Sequence, residues 1–204
     1  MRRLSLALMA VLAFVARPSE ALMQFTSRVM VTPFSEGEYW MLTERLDYEI
    51  RDTGIRVEVP PGFVTDFASI PQPFWSVLPT WGRYGPAAVV HDYLYWDQSC
   101  TREQADRVMA LAMQELNVSA FRVQIIYRTL RLAGKLSWDN NAKAKKAGYT
   151  RVVPRDYPPL PAVITWAQVE KDLMKSGREK KPESEPGSPP SYCSEADRVW
   201  EHKT

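Results

Sequence analysis

The spacing of hydrophobic and polar residues divides the chain into an early part with a period of two and a later part with a period near 3.6. The early part contains four short apolar and aromatic runs that predict strands. These runs span 28–31, 39–42, 46–50 and 55–59. The last two alternate apolar and polar residues on either side of Asp52-Thr53-Gly54, which is typical of a β-hairpin turn.

The later part, after Pro60-Pro61-Gly62, has the apolar spacing of three helices. They are predicted around 84–96, 102–116 and 119–136. Thr101 and Gln104 have the spacing of a capping box at the second helix, and Ser119 suits the N-cap of the third. The sequence therefore predicts an α+β fold, in which a small antiparallel β-sheet in the N-terminal half is followed by a three-helix layer.

Residues 1–21 have the pattern of a signal peptide. Two arginines precede an apolar run over 4–15 that is short for a membrane span, and small residues stand at Ser19 and Ala21. No later apolar stretch has the length of a transmembrane segment. We predict an exported protein, periplasmic or secreted, with its core domain over 22–150.

The charge of the chain bears on its partners. The full chain has a formal net charge of +2, and residues 1–21 contain three arginines and one glutamate, so the mature chain is formally neutral. A neutral, exported protein lacks the overall positive charge with which proteins bind nucleic acid. Nucleic acid is therefore not expected as a partner, and the oligomeric state is not indicated by the sequence.

The C-terminal part, 151–204, is rich in proline and predicted to be a largely disordered extension. A short helix is predicted near 165–174, and no fixed fold is expected from about Ser176 onward.

Cys100 and Cys193 are the two cysteines of the chain, and an oxidising compartment favours a disulfide between them. That bond would tie the tail to the core. We expect it to hold Tyr192 and Trp200 near the mouth of a site around His91.

His91 is the histidine of the predicted core, since the second of the two histidines, His202, lies in the tail. Its helical position places it on an inward face, together with Tyr95 one turn later. Asp106 borders the apolar stripe of the next helix, where an aspartate needs a partner. We predict that Asp106 pairs with the His91 ring. A purely structural hydrogen-bond network is the alternative interpretation.

Three segments carry a resemblance to a known family. They are 64–71, 81–92 and 105–107. In order and spacing they resemble the bacterial and prophage family called domain of unknown function family 1353, over about Arg28 to Trp138. That resemblance implies no activity.

A second resemblance is looser. The segment 87–95, followed by Ala105-Asp106, is similar to the A-A-x-x-H-D-x-x-Y and later A-D motifs of secreted, viral and bacterial phospholipase A2 enzymes. It implies that His91 is a general base that activates water, that Asp106 orients it and that Tyr95 supports Asp106.

The same resemblance implies a calcium ion that binds substrate oxygen and stabilises an oxyanion. Asp92 would be a ligand, and backbone carbonyls would come from the loop Gly82-Arg83-Tyr84-Gly85. Asp66 is interpreted either as a further metal ligand or as a turn residue that, with Ser69, caps a helix starting at Pro71. Ser69 as a nucleophile is a further alternative.

A basic stripe is predicted on the third helix at Arg128, Arg131 and Lys135. It is either a solvated face or a contact for anionic lipid headgroups. The leading functional hypothesis is an exported, calcium-assisted phospholipid esterase with a His-Asp dyad. The alternatives are a hydrolase acting on peptidoglycan, and a non-catalytic binding module that is phage-derived or associated with the cell envelope.

Overall fold

The computed structural model of the protein describes residue 25 and the ranges 27–51, 53–67, 83–177 and 188–201. The predicted signal peptide, and the predicted site residues Gly82 and Ser69, lie outside these ranges.

The N-terminal half forms short antiparallel strands. They are β1 (Val31–Pro33), β2 (Trp40–Leu42), β3 (Leu46–Glu49), β4 (Arg56–Val59) and β5 (Val64–Thr65). One sheet has the order β1-β2-β5, and β3 and β4 form the predicted hairpin, in register from Leu46 opposite Val59 to Glu49 opposite Arg56. Gly54 in the hairpin turn has a φ of 73°, which glycine adopts without steric cost.

Helices make up the rest of the described fold, and the predicted α+β class is confirmed. They are α1 (Gly85–Asp97), α2 (Arg102–Glu115), α3 (Ala120–Lys146), α4 (Trp166–Ser176) and α5 (Ser191–Glu201). The capping box of Thr101 and Gln104 is present at the start of α2. Ser119 is the N-cap residue of α3, but its side chain makes no capping hydrogen bond.

Helix α3 continues ten residues beyond its predicted end at 136. Its second half carries few apolar residues, and polar contacts to the end of α1 hold it in place. Asn141 donates to the Tyr95 carbonyl at 3.1 Å, and Lys145 donates to the Asp97 carbonyl at 2.8 Å. Such contacts between distant residues leave no periodic pattern in the sequence.

Helix α1 lies at the centre of the domain. Ten of its thirteen residues are buried, because it packs against α2 and α3 and also against strands β4 and β5. A helix that is covered on several sides needs no polar face, so its apolar residues are spread around its axis. This position places the His91-Asp92 pair in the interior.

In the C-terminal part, the short helix predicted near 165–174 is present as α4, and α5 is a further helix that was not predicted. Helix α4 buries Trp166, Val169 and Leu173 in a small core of its own with residues from the sheet and from the 150s. Helix α5 packs against α2 and buries Cys193 and Ala196. The expectation of no fixed fold after about Ser176 is therefore wrong for Ser191–Glu201. The apolar face of this helix is short and stands in a polar tail, so the sequence pattern did not reveal it, yet it is sufficient to dock the helix.

The predicted disulfide between Cys100 and Cys193 is present, with a Cα–Cα distance of 5.4 Å. It joins the start of α2 to α5, and an ion pair between Arg107 and Asp197 supports the same contact. Within the described ranges, no helix has the length and apolar character needed to cross a membrane.

Candidate active site

The side chains of His91, Tyr95 and Asp106 meet between helices α1 and α2. His91 Nε2 lies 3.0 Å from Asp106 Oδ1, and the Tyr95 hydroxyl donates to the same oxygen at 2.6 Å. His91 and Asp106 are almost completely buried, with side-chain exposures of 1% and 0%. The structure therefore confirms that His91 and Asp106 lie within hydrogen-bond distance on facing helices, as predicted.

The second carboxylate oxygen of Asp106 is bound by two arginines. Arg102 Nη1 lies 3.3 Å from Oδ2, and Arg131 Nη1 donates to it from α3 at 3.1 Å. Burial by itself would raise the pKa of Asp106, but hydrogen bonds from His91, Tyr95 and Arg131 lower it below the ordinary aspartate value. Asp106 is thus ionised at neutral pH.

The ionised carboxylate fixes the proton on the His91 ring. A carboxylate can only accept hydrogen bonds, so Nε2 carries the hydrogen and donates to Asp106. In the neutral ring Nδ1 then has a free lone pair. Nδ1 is buried and has no hydrogen-bond partner among the residues that the structure describes. This is the arrangement of a histidine prepared to accept a proton.

Tyr95 stays protonated and so remains a hydrogen-bond donor. Burial raises the pKa of its hydroxyl far above the usual value, and the negative charge of Asp106 raises it further. The ring packs edge-on against Trp138, with centroids 5.2 Å apart. Gly134 on α3 makes room for the hydroxyl, since a Cβ there would lie 2.3 Å from the Tyr95 oxygen.

A cavity of about 440 Å³ opens beside His91. Its apolar lining residues come from α3 and are Leu130, Ala133, Gly134 and Leu136. Its polar lining residues include Asn140 and Asn141 of the same helix, and Asp66, Asp92 and Arg151 from elsewhere in the chain. His91 lines this cavity, and its Nδ1 is the ring nitrogen that is not directed to Asp106.

Asp92 and Asp66 both line the cavity, as the metal hypothesis requires. Asp92 Oδ2 accepts a hydrogen bond from Thr65 Oγ1 at 2.5 Å. Gly85 begins α1 and does not line the cavity. In the described part of the chain no three His, Cys, Asp or Glu residues are grouped as metal ligands. Calcium prefers six to eight oxygen ligands, of which these two carboxylates would provide only a part.

Several residues of the site carry no sequence signal that could have identified them. Arg102 and Arg131 look like ordinary surface cations, yet both reach Asp106. Arg131 therefore does not belong to a purely solvated basic stripe. Arg151 joins the cavity from a segment after α3, and Thr65 reaches Asp92 from β5.

Tyr192 and Trp200 do not cover the cavity, so that expectation is wrong. The Tyr192 hydroxyl lies 2.9 Å from Ser99 Oγ, and the Trp200 ring packs on Tyr127 with centroids 4.8 Å apart. Neither residue lines the cavity. Because the disulfide directs α5 along α2, these aromatic residues lie against the side of the helical layer.

Comparison with known proteins confirms the first family resemblance. Residues 40–130 match the model of the family described as "Protein of unknown function (DUF1353)". This span includes strands β2 to β5 and the residues His91, Asp92, Tyr95 and Asp106.

A curated relative from Sinorhizobium fredii, the uncharacterized protein y4jT, is 30% identical over 134 residues. The alignment covers 63% of this chain and 39% of the relative, so the chain spans about two fifths of that protein. No solved structure matches the chain significantly.

Proposed function

We propose that the protein is an exported hydrolase that cleaves carboxylic esters of phospholipids with water activated by His91. The observation that carries the proposal is the unpartnered Nδ1 of a buried histidine whose Nε2 is fixed on an ionised aspartate beside a cavity. A core histidine with only a structural role would gain stability by satisfying both nitrogens. The similarity to the phospholipase A2 motif supports the same reaction class.

The proposed reaction begins with a water molecule that donates a hydrogen bond to His91 Nδ1. Its oxygen attacks the ester carbonyl carbon while Nδ1 takes its proton, which gives a tetrahedral oxyanion and an imidazolium. The Asp106 carboxylate stabilises the imidazolium through the bond to Nε2. Collapse of the intermediate breaks the ester C–O bond, and His91 returns its proton to the leaving alkoxide.

The mixed lining of the cavity supports an amphiphilic substrate. The apolar lining residues can contact an acyl chain, while Arg151 and the two asparagines can bind a charged headgroup. An arginine suits a phosphate diester because its N–H donors match two phosphate oxygens. A phospholipid combines both features in one molecule.

Calcium assistance remains a hypothesis from the phospholipase A2 motif, and no step above depends on it. Asp66 and Asp92 are the described residues that a cation in the cavity would contact. An activity assay with and without a chelator tests this separately from the His91 mechanism.

The test of the proposed function is fatty-acid release from vesicles of mixed phospholipids by the full mature chain. His91→Ala is expected to lower the rate by at least about a hundredfold, since a general base contributes about this much. Asp172→Asn, an exposed carboxylate on α4 away from the cavity, is the matched control and should leave the rate unchanged. Equal rates for wild-type protein and His91→Ala would disprove the proposal, and clearing of purified sacculi would support the peptidoglycan alternative.

A non-catalytic role is the second candidate, and the dense pairing of Asp106 favours it. Four donors, His91, Tyr95, Arg102 and Arg131, converge on one carboxylate, as in a structural core network. In that case Asp106→Asn would lower stability, no ester would be hydrolysed, and the protein would serve as an envelope-associated binding module. The vesicle assay distinguishes the two.

A further inference from the structure

Helix α3 presents a row of large apolar side chains to solvent. Phe121, Leu132 and Leu136 have exposed fractions of 73%, 87% and 70%. Their spacing of eleven and fifteen residues from Phe121 places them within about 60° of one another around the helix axis, at 3.6 residues per turn. The buried residues Val123, Ile126, Leu130 and Gly134 of α3 lie toward the opposite side, whereas buried Thr129 lies close to Leu136 around the axis. We call this row of three residues the outer face of α3.

Helix α3 as a whole is strongly basic. Between Ala120 and Lys146 the helix contains seven lysines and arginines and one acidic residue, Asp139. Arg128 lies on the same side as Leu132 and is exposed. Exposed leucine and phenylalanine with interspersed cations favour an anionic lipid surface, where the apolar side chains enter the acyl region and the cations meet phosphates.

The outer face adjoins the cavity of the site. Leu136 belongs to both, since it is exposed and also lines the cavity. A lipid surface against this face would therefore lie next to the opening beside His91.

We propose that the outer face of α3 docks the protein on membranes rich in anionic phospholipid, with the cavity opening toward the lipid. The proposal shares the lipid substrate with the proposed function, but it concerns binding and can be tested without hydrolysis. A second copy of the chain is the competing occupant of an exposed apolar row, and the experiment distinguishes it.

The experiment is cosedimentation of the full mature chain with vesicles of ether-linked phospholipids, which contain no carboxylic ester for the protein to hydrolyse. We expect binding to phosphatidylglycerol vesicles and at least about tenfold weaker binding to phosphatidylcholine vesicles, with a steep loss in high salt. Leu132→Ser and Phe121→Ser should each weaken binding by about tenfold or more, because each removes a large apolar side chain from the lipid contact.

Val163→Ser is the matched control. Val163 is also a large apolar residue with 82% exposure, but it lies outside α3 and should not affect binding. Arg128→Glu should weaken binding to phosphatidylglycerol only. Circular dichroism of each variant checks folding, which these exposed positions should not disturb.

Four outcomes would overturn the docking proposal. The first is that the chain does not bind phosphatidylglycerol vesicles, and the second is that it binds both lipids equally. The third is that Val163→Ser weakens binding as much as Leu132→Ser does. The fourth is that the protein is a dimer which Leu132→Ser dissociates without any change in vesicle binding. His91→Ala should bind like the wild-type protein. Binding without ester hydrolysis would therefore reject the proposed function alone, and ester hydrolysis together with any of those four outcomes would reject the docking alone.

Discussion

Asp106 connects three helices through one carboxylate. It accepts hydrogen bonds from His91 and Tyr95 on α1, from Arg102 one turn earlier on α2 and from Arg131 on α3. The ionised form suits every one of these donors. One residue thus both orients the histidine and stabilises the helical layer.

Replacing Asp106 with asparagine should lower the free energy of unfolding by about 3 kcal/mol, because the buried carboxylate that His91, Tyr95, Arg102 and Arg131 share loses its charge. Urea denaturation measures the change. Asp139→Asn, an exposed carboxylate paired with Lys135, should stay within about 0.5 kcal/mol of the wild-type protein. A similar small change for Asp106→Asn would mean that the network contributes little.

The lowered pKa of Asp106 also predicts how stability depends on pH. A carboxyl group whose pKa is lower in the folded state binds fewer protons folded than unfolded, so its contribution is complete above the ordinary aspartate value of 3.8 and is lost as the pH falls toward the folded value. Acid denaturation of the wild-type protein should therefore be steeper below that value than denaturation of Asp106→Asn. Parallel acid curves for the two proteins would contradict this.

At the scale of secondary structure elements, local patterns and distant contacts determine different features. The hairpin, the capping box and helix α2 follow from local sequence patterns, and so they could be predicted. Helix α1 was predicted as well, although its apolar residues are spread around its axis. The length of α3 and the docking of α5 depend on contacts to residues tens of positions away, such as Asn141 to Tyr95. The pairing of His91 with Asp106 was predictable because an inward aspartate requires a partner. The positions of Arg151 and Thr65 at the site were not predictable, because neither side chain requires a buried partner.

Thr101→Ala should destabilise the protein by about 1 kcal/mol, because it removes the side-chain half of the capping box on α2. Ser119→Ala is a matched control at the start of α3. Ser119 occupies the same position in its helix but makes no capping hydrogen bond, so thermal or urea unfolding should be nearly unchanged. Equal losses for the two variants would show that the Thr101 cap has no special role.

At the scale of the whole molecule, the disulfide joins two parts of the chain that are 93 residues apart. It holds α5 against α2 together with the ion pair of Arg107 and Asp197. Neither cysteine lines the cavity, so the bond stabilises the layer behind the site and is not part of the cavity wall.

Reduction of this bond should lower the free energy of unfolding by about 2–4 kcal/mol, as is typical for a crosslink that closes a long loop. Urea curves with and without a thiol reductant measure the effect, and the double variant Cys100→Ser/Cys193→Ser should not respond to the reductant. Mass spectrometry of non-reduced peptides checks the bond in protein purified from the periplasm, the compartment to which export is predicted. Two free thiols there would contradict the bond.

The contact between Gly134 and the Tyr95 hydroxyl has a consequence for sequence variation. Because any side chain at position 134 would meet that oxygen, the two positions should covary among relatives. A residue larger than glycine at 134 is expected where position 95 has lost its hydroxyl or has become smaller. Gly134→Ala should accordingly be tolerated better beside Tyr95→Phe than alone. The close fit between Gly134 and the Tyr95 hydroxyl thus means that position 95 should change before position 134 does.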